Sequence, residues 1–410
     1  MSSSNYTNEQ LEAFRSKSDP LADHVVDKIM ANGSGRSISE LFDKMIKNSD
    51  FNEADLPVEV AEYFKNTEAL PTWADQNKIK VGQDVFAQFG PEICLLLMCK
   101  SLPEAYACKK GAEVLHQTGR LSEGTDGALE RFKRRLMETS QFVVNICTPG
   151  GYEVDGSGII TAQKVRLIHA VIRHYIVAHG NWNAELNGLP INQEDMAGTL
   201  QSFSSLVIEG LTQCGVTLTA EQIDGYYHCW RVAGHIVGLD EALNPPTYAE
   251  GLKLGYAILN QQKEGSQAGV ELTNALTDFI KEILPGNIFN DTPAILIRYF
   301  VGESTGDMLG IKEEKGVLSK VMPRLLRTVF REEENLENNS HIYHKIASKV
   351  SLAMLQGMLN HFNEYKGVHF YIPPGLQENW KLETSWDHFK TLSPAVAGYR
   401  LAIEKKKSSL

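Results

Sequence analysis

The sequence predicts an all-α protein: a large single helical domain carrying extra helices at both ends. Three observations lead there. Apolar residues recur at three- and four-residue spacing almost throughout, strand-like alternation is confined to short runs, and the turn markers between periodic stretches are brief. No repeat of fixed period sets up a solenoid. At 410 residues the chain can bury a sizeable core as one large domain.

Taken in order, residues 1–66 form a helical extension with amphipathic stretches at 20–30 and 37–45. Leu70-Pro71-Thr72-Trp73 marks the junction to a core spanning 67–365. The core opens with helical patterns at 78–89, 92–100, 106–117 and 126–144. A loop follows, Cys147-Thr148-Pro149-Gly150-Gly151-Tyr152-Glu153-Val154-Asp155-Gly156-Ser157-Gly158, whose glycines and proline end one helix and permit a tight turn. It is not a phosphate cradle, because no strand precedes it and the spacing is wrong. The next helix covers 161–178, with Thr161 as N-cap and Gly180 as stop. After a polar, turn-rich stretch at 181–193, helical patterns resume at 197–213, 220–237, 248–262, 269–284, 293–309, 315–331 and 343–365. Residues 366–410 are an extended segment, His369-Phe370-Tyr371-Ile372-Pro373-Pro374, and a weakly patterned tail.

Composition narrows the function classes. Hydrophobic residues make up 42% and charged residues 22%, close to the soluble globular average. A net charge of −11 gives no reason to expect nucleic acid or an anionic membrane as partner. The basic run at Glu404-Lys405-Lys406-Lys407 is too short to change that. The amino terminus lacks a basic and an apolar signal region. The most apolar run, residues 93–99, is far shorter than the roughly 20 residues that span a bilayer. The sequence therefore predicts a cytoplasmic protein without a transmembrane segment. Six cysteines without a CxxC pair, scattered in apolar surroundings, read as reduced core residues.

The chemistry-bearing residues sit on two helices. In the 161–178 helix, Arg166, His169 and Arg173 fall at i, i+3 and i+7 and share a face with Val165, Ile172 and Ile176. One imidazole in an apolar strip with a guanidinium one turn to either side suits haem: a neutral nitrogen for iron, apolar walls, and cations for two propionates. The same pattern describes a hydrogen-bonded core histidine beside half-buried arginines, and periodicity does not separate the two. In the 126–144 helix, residues 131, 135 and 139 stack two arginines and a threonine on one stripe, while Leu136 and Phe142 turn to the core. That stripe is equally a solvated face with i,i+4 charge pairs.

Other metal arrangements are weaker. There is no HExxH, and Glu113-Val114-Leu115-His116 is a single ExxH where a di-iron bundle needs two. His341-x-x-His344 reads as an exposed helix start. His228 and His235 lie seven apart, share a face, and make His228 the reserve axial ligand. No Ser-His-Asp arrangement is defined by spacing.

The pattern Arg135-x-x-x-Thr139 followed by Arg166-x-x-His169-x-x-x-Arg173 resembles the DUF2236 family, which holds the rubber oxygenases (latex clearing proteins) and the MpaB oxygenases. Leu70-Pro71-Thr72-Trp73, Ser101-Leu102-Pro103, Tyr106-Ala107, Phe142-Val143, Pro190-Ile191-Asn192-Gln193-Glu194-Asp195 and Arg231-Val232-Ala233-Gly234-His235 agree in order, so the resemblance spans about residues 68–240. It implies a globin-like core holding haem b, with His169 as the axial ligand to iron and Arg166 and Arg173 supporting that helix and the propionates. It also implies a distal face lined by Arg135 and Thr139. Characterised rubber oxygenases carry a lysine where this chain has Glu138, and the neighbourhood of their upstream acid, Thr118-Gly119-Arg120 here, has no carboxylate. The implied activity is oxidative cleavage of a C=C bond in an isoprenoid or other apolar substrate, with O2 as co-substrate and Glu138 as a distal acid/base or an ion-pair partner of Arg134 or Arg135. The alternative is a non-catalytic binding protein, sensor or carrier, for haem or an apolar ligand.

Overall fold

The computed structural model describes residues 6–31, 56–121, 128–179, 181–283, 291–312, 355 and 372–380. Among these the chain is helical with no strand, and the sole β-type contact is an isolated bridge between Cys108 and Lys263. The patterns at 37–45, 315–331 and 343–365, the His341/His344 pair and the basic tail lie outside the described residues.

The N-terminal extension is two short helices plus a third. Helix α1, Asn8–Arg15, is closed by a capping box between Thr7 and Gln10. Helix α2, Pro20–Ala31, and α3, Val58–Thr67, bury Ala22, Val25, Val26, Ile29, Val60 and Tyr63 in a satellite core. That core is completed by Leu167, Ala170 and Val171 from a helix a hundred residues on. The buried Arg15 guanidinium ties α1 down by donating to Glu194, Asp195 and the Asn187 carbonyl.

Helix α4, Gln76–Leu96, starts at Asp75, whose carboxylate accepts from the Asn77 and Lys78 amides. The sequence predicts two helices here, and the structure breaks between them: Phe89 leaves helical geometry (φ −117°, ψ 20°), so two helical segments meet across a kink just before Pro91. The helix then passes through a π-helical turn, Leu97–Ser101, into α5, Leu102–Tyr106. Residues 76–106 together make a kinked helical stretch longer than the 93–99 run, and by length and composition alone it could cross a membrane. Most of its apolar window is buried inside the protein, chiefly along the later helix 220–236. The π-turn also buries Lys100, which is held by Glu104 and Glu209 at 3.1 and 3.3 Å.

Helices α6, Lys109–Leu121, α7, Ala128–Cys147, and α8, Ser157–His179, carry the residues of interest. Helix α8 begins a turn before the sequence expectation. Thr161 is not its N-cap; it sits inside the helix, where its hydroxyl accepts from Asn145 Nδ2 at 2.7 Å. The earlier start is possible because Gly156 and Gly158 lie flat against the Gly151 and Asn145 carbonyls, where a Cβ would clash. The intervening loop joins helix to helix, with Gly150 at φ 84°.

A short turn, α9, Ala184–Asn187, leads to α10, Gln193–Phe203, and α11, Ser205–Gln213. The sequence predicts one helix over these last two. Ser204 (φ −111°, ψ −89°) breaks it, its amide and hydroxyl both turned back to the Leu200 carbonyl. Helix α12, Ala220–Ile236, is closed by a capping box between Thr219 and Gln222. Helices α13, Tyr248–Gln262, and α14, Gln267–Ile283, agree closely with their expected bounds. The 293–309 pattern splits into α15, Thr292–Val301, and α16, Glu303–Met308, at Gly302, whose φ of 82° no β-branched residue would adopt. The last described helix, α17, Pro374–Asn379, packs on α4. All six cysteines are free thiols and four are fully buried.

Candidate functional site

Helices α7 and α8 pack side by side, as the adjacency of their motifs requires. On α8, Arg166 donates from Nε and Nη2 to both oxygens of Asp19, at 2.5 and 2.8 Å. Arg173 donates from Nε to Asp23 at 2.9 Å and from Nη1 to the Ile191 carbonyl at 2.7 Å. Arg166 thus grips both oxygens of Asp19, just before α2, while Arg173 reaches one oxygen of Asp23 on α2 and the turn at residues 190–191. Helix support is visible in these bonds. A propionate at either guanidinium would have to share it with a carboxylate already in place.

His169 sits between these clamps and makes no such bond. Its Nδ1 is buried without a hydrogen-bond partner among the described residues. Burial, reinforced by the Arg173 guanidinium and opposed by Asp19, pushes its pKa down to about 4. At neutral pH the ring is an uncharged imidazole, the form a metal requires. An unsatisfied buried nitrogen costs about 1–3 kcal/mol, so it is a position that calls for an explanation. A haem iron ligand fits it: the donor is neutral, desolvated and unspent.

On α7, Arg135 reaches across to α6 and donates from Nη1 to the Leu115 carbonyl at 2.9 Å. Desolvation lowers its pKa, with Tyr106 and Glu138 acting in the opposite direction. Glu138 lies 3.5 Å from Nε of Arg134, yet neither Glu138 Oε1 nor Arg134 Nε has a hydrogen bond among the described residues. Burial raises the Glu138 pKa to about 7, against the pull of Arg134 and Arg135. The ion-pair partner is therefore Arg134, and the carboxyl is poised to hold or release a proton near neutrality.

Thr139 faces an apolar cavity of about 70 Å³ between α4, the π-turn, α5, α7 and α10, with Leu355 and Trp380 on the remaining side. The cavity wall contains further hydroxyls, but they are turned away. Ser140 donates to Leu136 O, Thr199 to Asp195 O, Ser202 to Gly198 O and Ser101 to Ser202 O. Each proton is spent on a backbone carbonyl, so these residues present little polarity. No partner among the described residues is found for the Thr139 hydroxyl. The candidate distal threonine is the uncommitted polar group in an apolar space. Leu136 and Phe142 turn to the core as predicted, Phe142 against Phe203 and Trp230.

His228 does not share this environment. Its Nε2 accepts from the Asp75 amide at 2.9 Å and its ring stands edge-on to Trp73, on which His235 and Arg231 also pack. The shared face of His228 and His235 is real, but it is the seat of Trp73, and the reserve ligand's Nε2 is already an acceptor. His116 pairs with Glu271 at 3.1 Å, and no cluster of three metal-binding side chains occurs among the described residues. Sequence reasoning misses the partners Asp19, Asp23 and Trp380. The first two carry no local pattern. Trp380 has one indirect signal, a glycine-proline pair inside helix α4.

Comparison with known proteins agrees with this architecture. The profile of the catalytic domain described as ER-bound oxygenase mpaB/B'/rubber oxygenase matches residues 85–331, more than half of the chain. A rubber oxygenase from Streptomyces sp. (strain K30) is 24% identical over 324 residues, covering 76% of this chain and 74% of that protein. The structure of a latex clearing protein in its closed state superimposes with a TM-score of 0.70 at 22% identity, over 88% of this chain and 94% of the other.

Proposed function

The chain belongs to the mpaB/rubber oxygenase catalytic-domain family, and on that premise we propose that it is a haem b-dependent oxygenase that cleaves a C=C bond of an isoprenoid or other apolar substrate with O2. The observation that carries the reading is the pairing, among the described residues, of a neutral His169 on α8 whose Nδ1 has no partner with a helix α7 whose Thr139 hydroxyl has none in an apolar cavity.

In this reading His169 would hold the haem iron, and Arg166 and Arg173 fix the helix that carries it. Bound haem supplies the activation of O2. The rest falls to the chain's own side chains. The apolar walls, with their serine and threonine protons spent on carbonyls, take up an unsaturated hydrocarbon and exclude water. Thr139 orients one polar atom at the reacting end, and Arg135 stiffens α7 against α6. Glu138 holds a proton at a carboxyl that titrates near neutrality and can release or recover it during turnover. One C=C bond and one O2 give two carbonyl groups, which balances without a further reductant.

Glu138 also favours a second reading. Held by Arg134 where rubber oxygenases carry lysine, it leaves room for a protein that binds haem or an apolar ligand without turnover.

The decisive measurement is optical. Protein expressed with haem supplied is red-brown with a Soret band, and His169→Ala loses the band. A colourless wild type overturns the reading. Loss of the band in His228→Ala, with His169→Ala intact, moves the ligand and keeps the class. Consumption of O2 with formation of carbonyls from a polyprenoid separates oxygenase from carrier.

A further inference from the structure

We propose that Lys100 is a positioning residue for the cavity beside Thr139: its ion pairs hold the π-turn, and the π-turn brings Leu97 and Leu102 together into the cavity wall. This deepens the function proposed above and rests on it only for the use of the cavity.

The π-turn shapes the wall as an ordinary helix would not. Leu97 and Leu102 both line the cavity. Five residues apart on an α-helix, they would point about 140° away from each other. Here the Leu102 amide donates to the Leu97 carbonyl, the i→i+5 bond of a π-turn, which closes much of that angle and lets both side chains reach one space. Met98 and Ser101 from the same turn also face the cavity.

π-Turns are rare and short, so a stable one needs support from outside its own backbone. Among the described residues, polar side chains tie this turn to two other helices. Ser101 donates from Oγ to the Ser202 carbonyl of α10 at 2.7 Å, and Lys100 reaches Glu209 of α11. Lys100 is the stronger tie. Its ammonium is buried, 3.1 Å from Glu104 Oε1 and 3.3 Å from Glu209 Oε2. Glu104 belongs to α5, just beyond the turn, so one cation joins the exit of the turn to a neighbouring helix. The other Glu104 oxygen is buried without a hydrogen bond among the described residues, and Lys100 supplies its counter-charge. Glu209 is itself fixed. Its Oε1 accepts from the Tyr256 hydroxyl on α13. Gly210 beside it lets α11 close on α4, where a Cβ would stand 2.6 Å from the Leu96 side chain. Moving Lys100 would leave buried carboxylates unpaired, so the turn stays where the ammonium is held. Lys100 is not part of the cavity wall; it acts through the residues on either side of it.

The test is methyl NMR of the full-length protein, following Met98, which belongs to the turn and faces the cavity. Lys100→Met should displace the Met98 methyl resonance by more than its linewidth. The crystal structure of that variant should show the turn rewound, with the Leu102 amide on the Met98 carbonyl and Leu97 out of the wall. Two further variants keep the inference falsifiable if Lys100→Met folds poorly. Glu209→Gln retains the Lys100–Glu104 pair and should displace the resonance in the same direction by less. Lys100→Met combined with Glu104→Gln and Glu209→Gln leaves no charge buried at the turn and should displace it as far as Lys100→Met does. Asp19→Ala weakens the fold at the α2–α8 seam and should leave Met98 within its linewidth, which a general loosening of the protein would not do. An unmoved Met98 resonance in the three Lys100 and Glu209 variants overturns the inference. So does a π-turn that persists in the Lys100→Met structure, or an equal displacement in Asp19→Ala. Neither readout depends on haem. A protein without a Soret band whose Met98 resonance moves as stated loses the haem reading and keeps this one; a normal band with an unmoved resonance does the opposite.

Discussion

The seam between α2 and α8 and the stripe along α7 both bury charge, and they treat it in opposite ways. At the seam each arginine meets a carboxylate: Arg166 takes both oxygens of Asp19, and Arg173 takes Asp23 and a backbone carbonyl. Along α7, Arg135 finds one carbonyl, Glu138 and Arg134 approach without a hydrogen bond, and the Thr139 hydroxyl has no partner among the described residues. His169 lies on the clamped helix but behaves like the α7 group, its Nδ1 left unmatched. A buried polar group with its partners in place holds the fold; one without them costs stability and is kept for something that binds later. Residue type does not distinguish the two regions. Satisfaction does.

Substitutions test the contrast directly, and the seam should respond most. Asp19→Ala leaves the Arg166 guanidinium buried and unpaired, and should cost about 3–5 kcal/mol in denaturant unfolding. Replacing both members with apolar residues, Asp19→Leu with Arg166→Met, should recover most of that loss. If Asp19→Ala is silent, the clamp is ornamental and the contrast collapses.

Next comes the pH dependence of α7. The Glu138 pKa rises from 4.5 unfolded to about 7 folded, so the native state holds its proton more tightly. Below pH 4.5 this favours the fold in full; the advantage is lost as pH rises toward 7 and is constant above it. The span is at most about 3 kcal/mol. Glu138→Gln should flatten stability across that window, and an unchanged pH profile would remove Glu138 from the unsatisfied group. His169 works with the opposite slope. Its pKa falls from 6.5 to about 4 on folding, so its contribution is complete above 6.5 and is lost as pH drops toward 4.

Replacement of His169 by Leu separates the two regions more finely. Without haem it should leave stability unchanged or raise it by about 1–2 kcal/mol, because an unmatched buried nitrogen disappears. Destabilisation on the scale of Asp19→Ala would instead make His169 a packed core residue. Arg134→Ala should matter least. The pair is partly exposed and lacks a hydrogen bond, so the loss should stay within about 1 kcal/mol by thermal melting.

Much of this is legible in the chain itself. The 3.6-residue period locates α7, α8, α12 and α13 to within a few residues, because helix formation and a buried stripe are local properties. Spacing puts Arg166, His169 and Arg173 on one side of a helix, and the family resemblance gives them meaning. Breaks are harder to read. The boundary at Pro91 is legible and matches the kink at Phe89, but Ser204 and Gly302 interrupt helices whose apolar pattern continues across them. Packing on both sides of a bend can hold a helix together, or let one break, without changing its period.

Local pattern thus specifies which residues are helical, which faces are apolar, and which few polar groups sit on them. Whether the charged groups of the seam are paired is settled by long-range packing. Asp19 finds Arg166 across 147 positions and Trp380 finds Ala87 across 293. Such pairings leave no trace in local spacing, because chain closure over long separations costs little more than over short ones and any compatible partner would serve. His169 looks in the sequence like its neighbours, a polar residue on an apolar helix. It differs from them because folding supplied the two arginines with carboxylates, while its Nδ1 has no partner among the described residues.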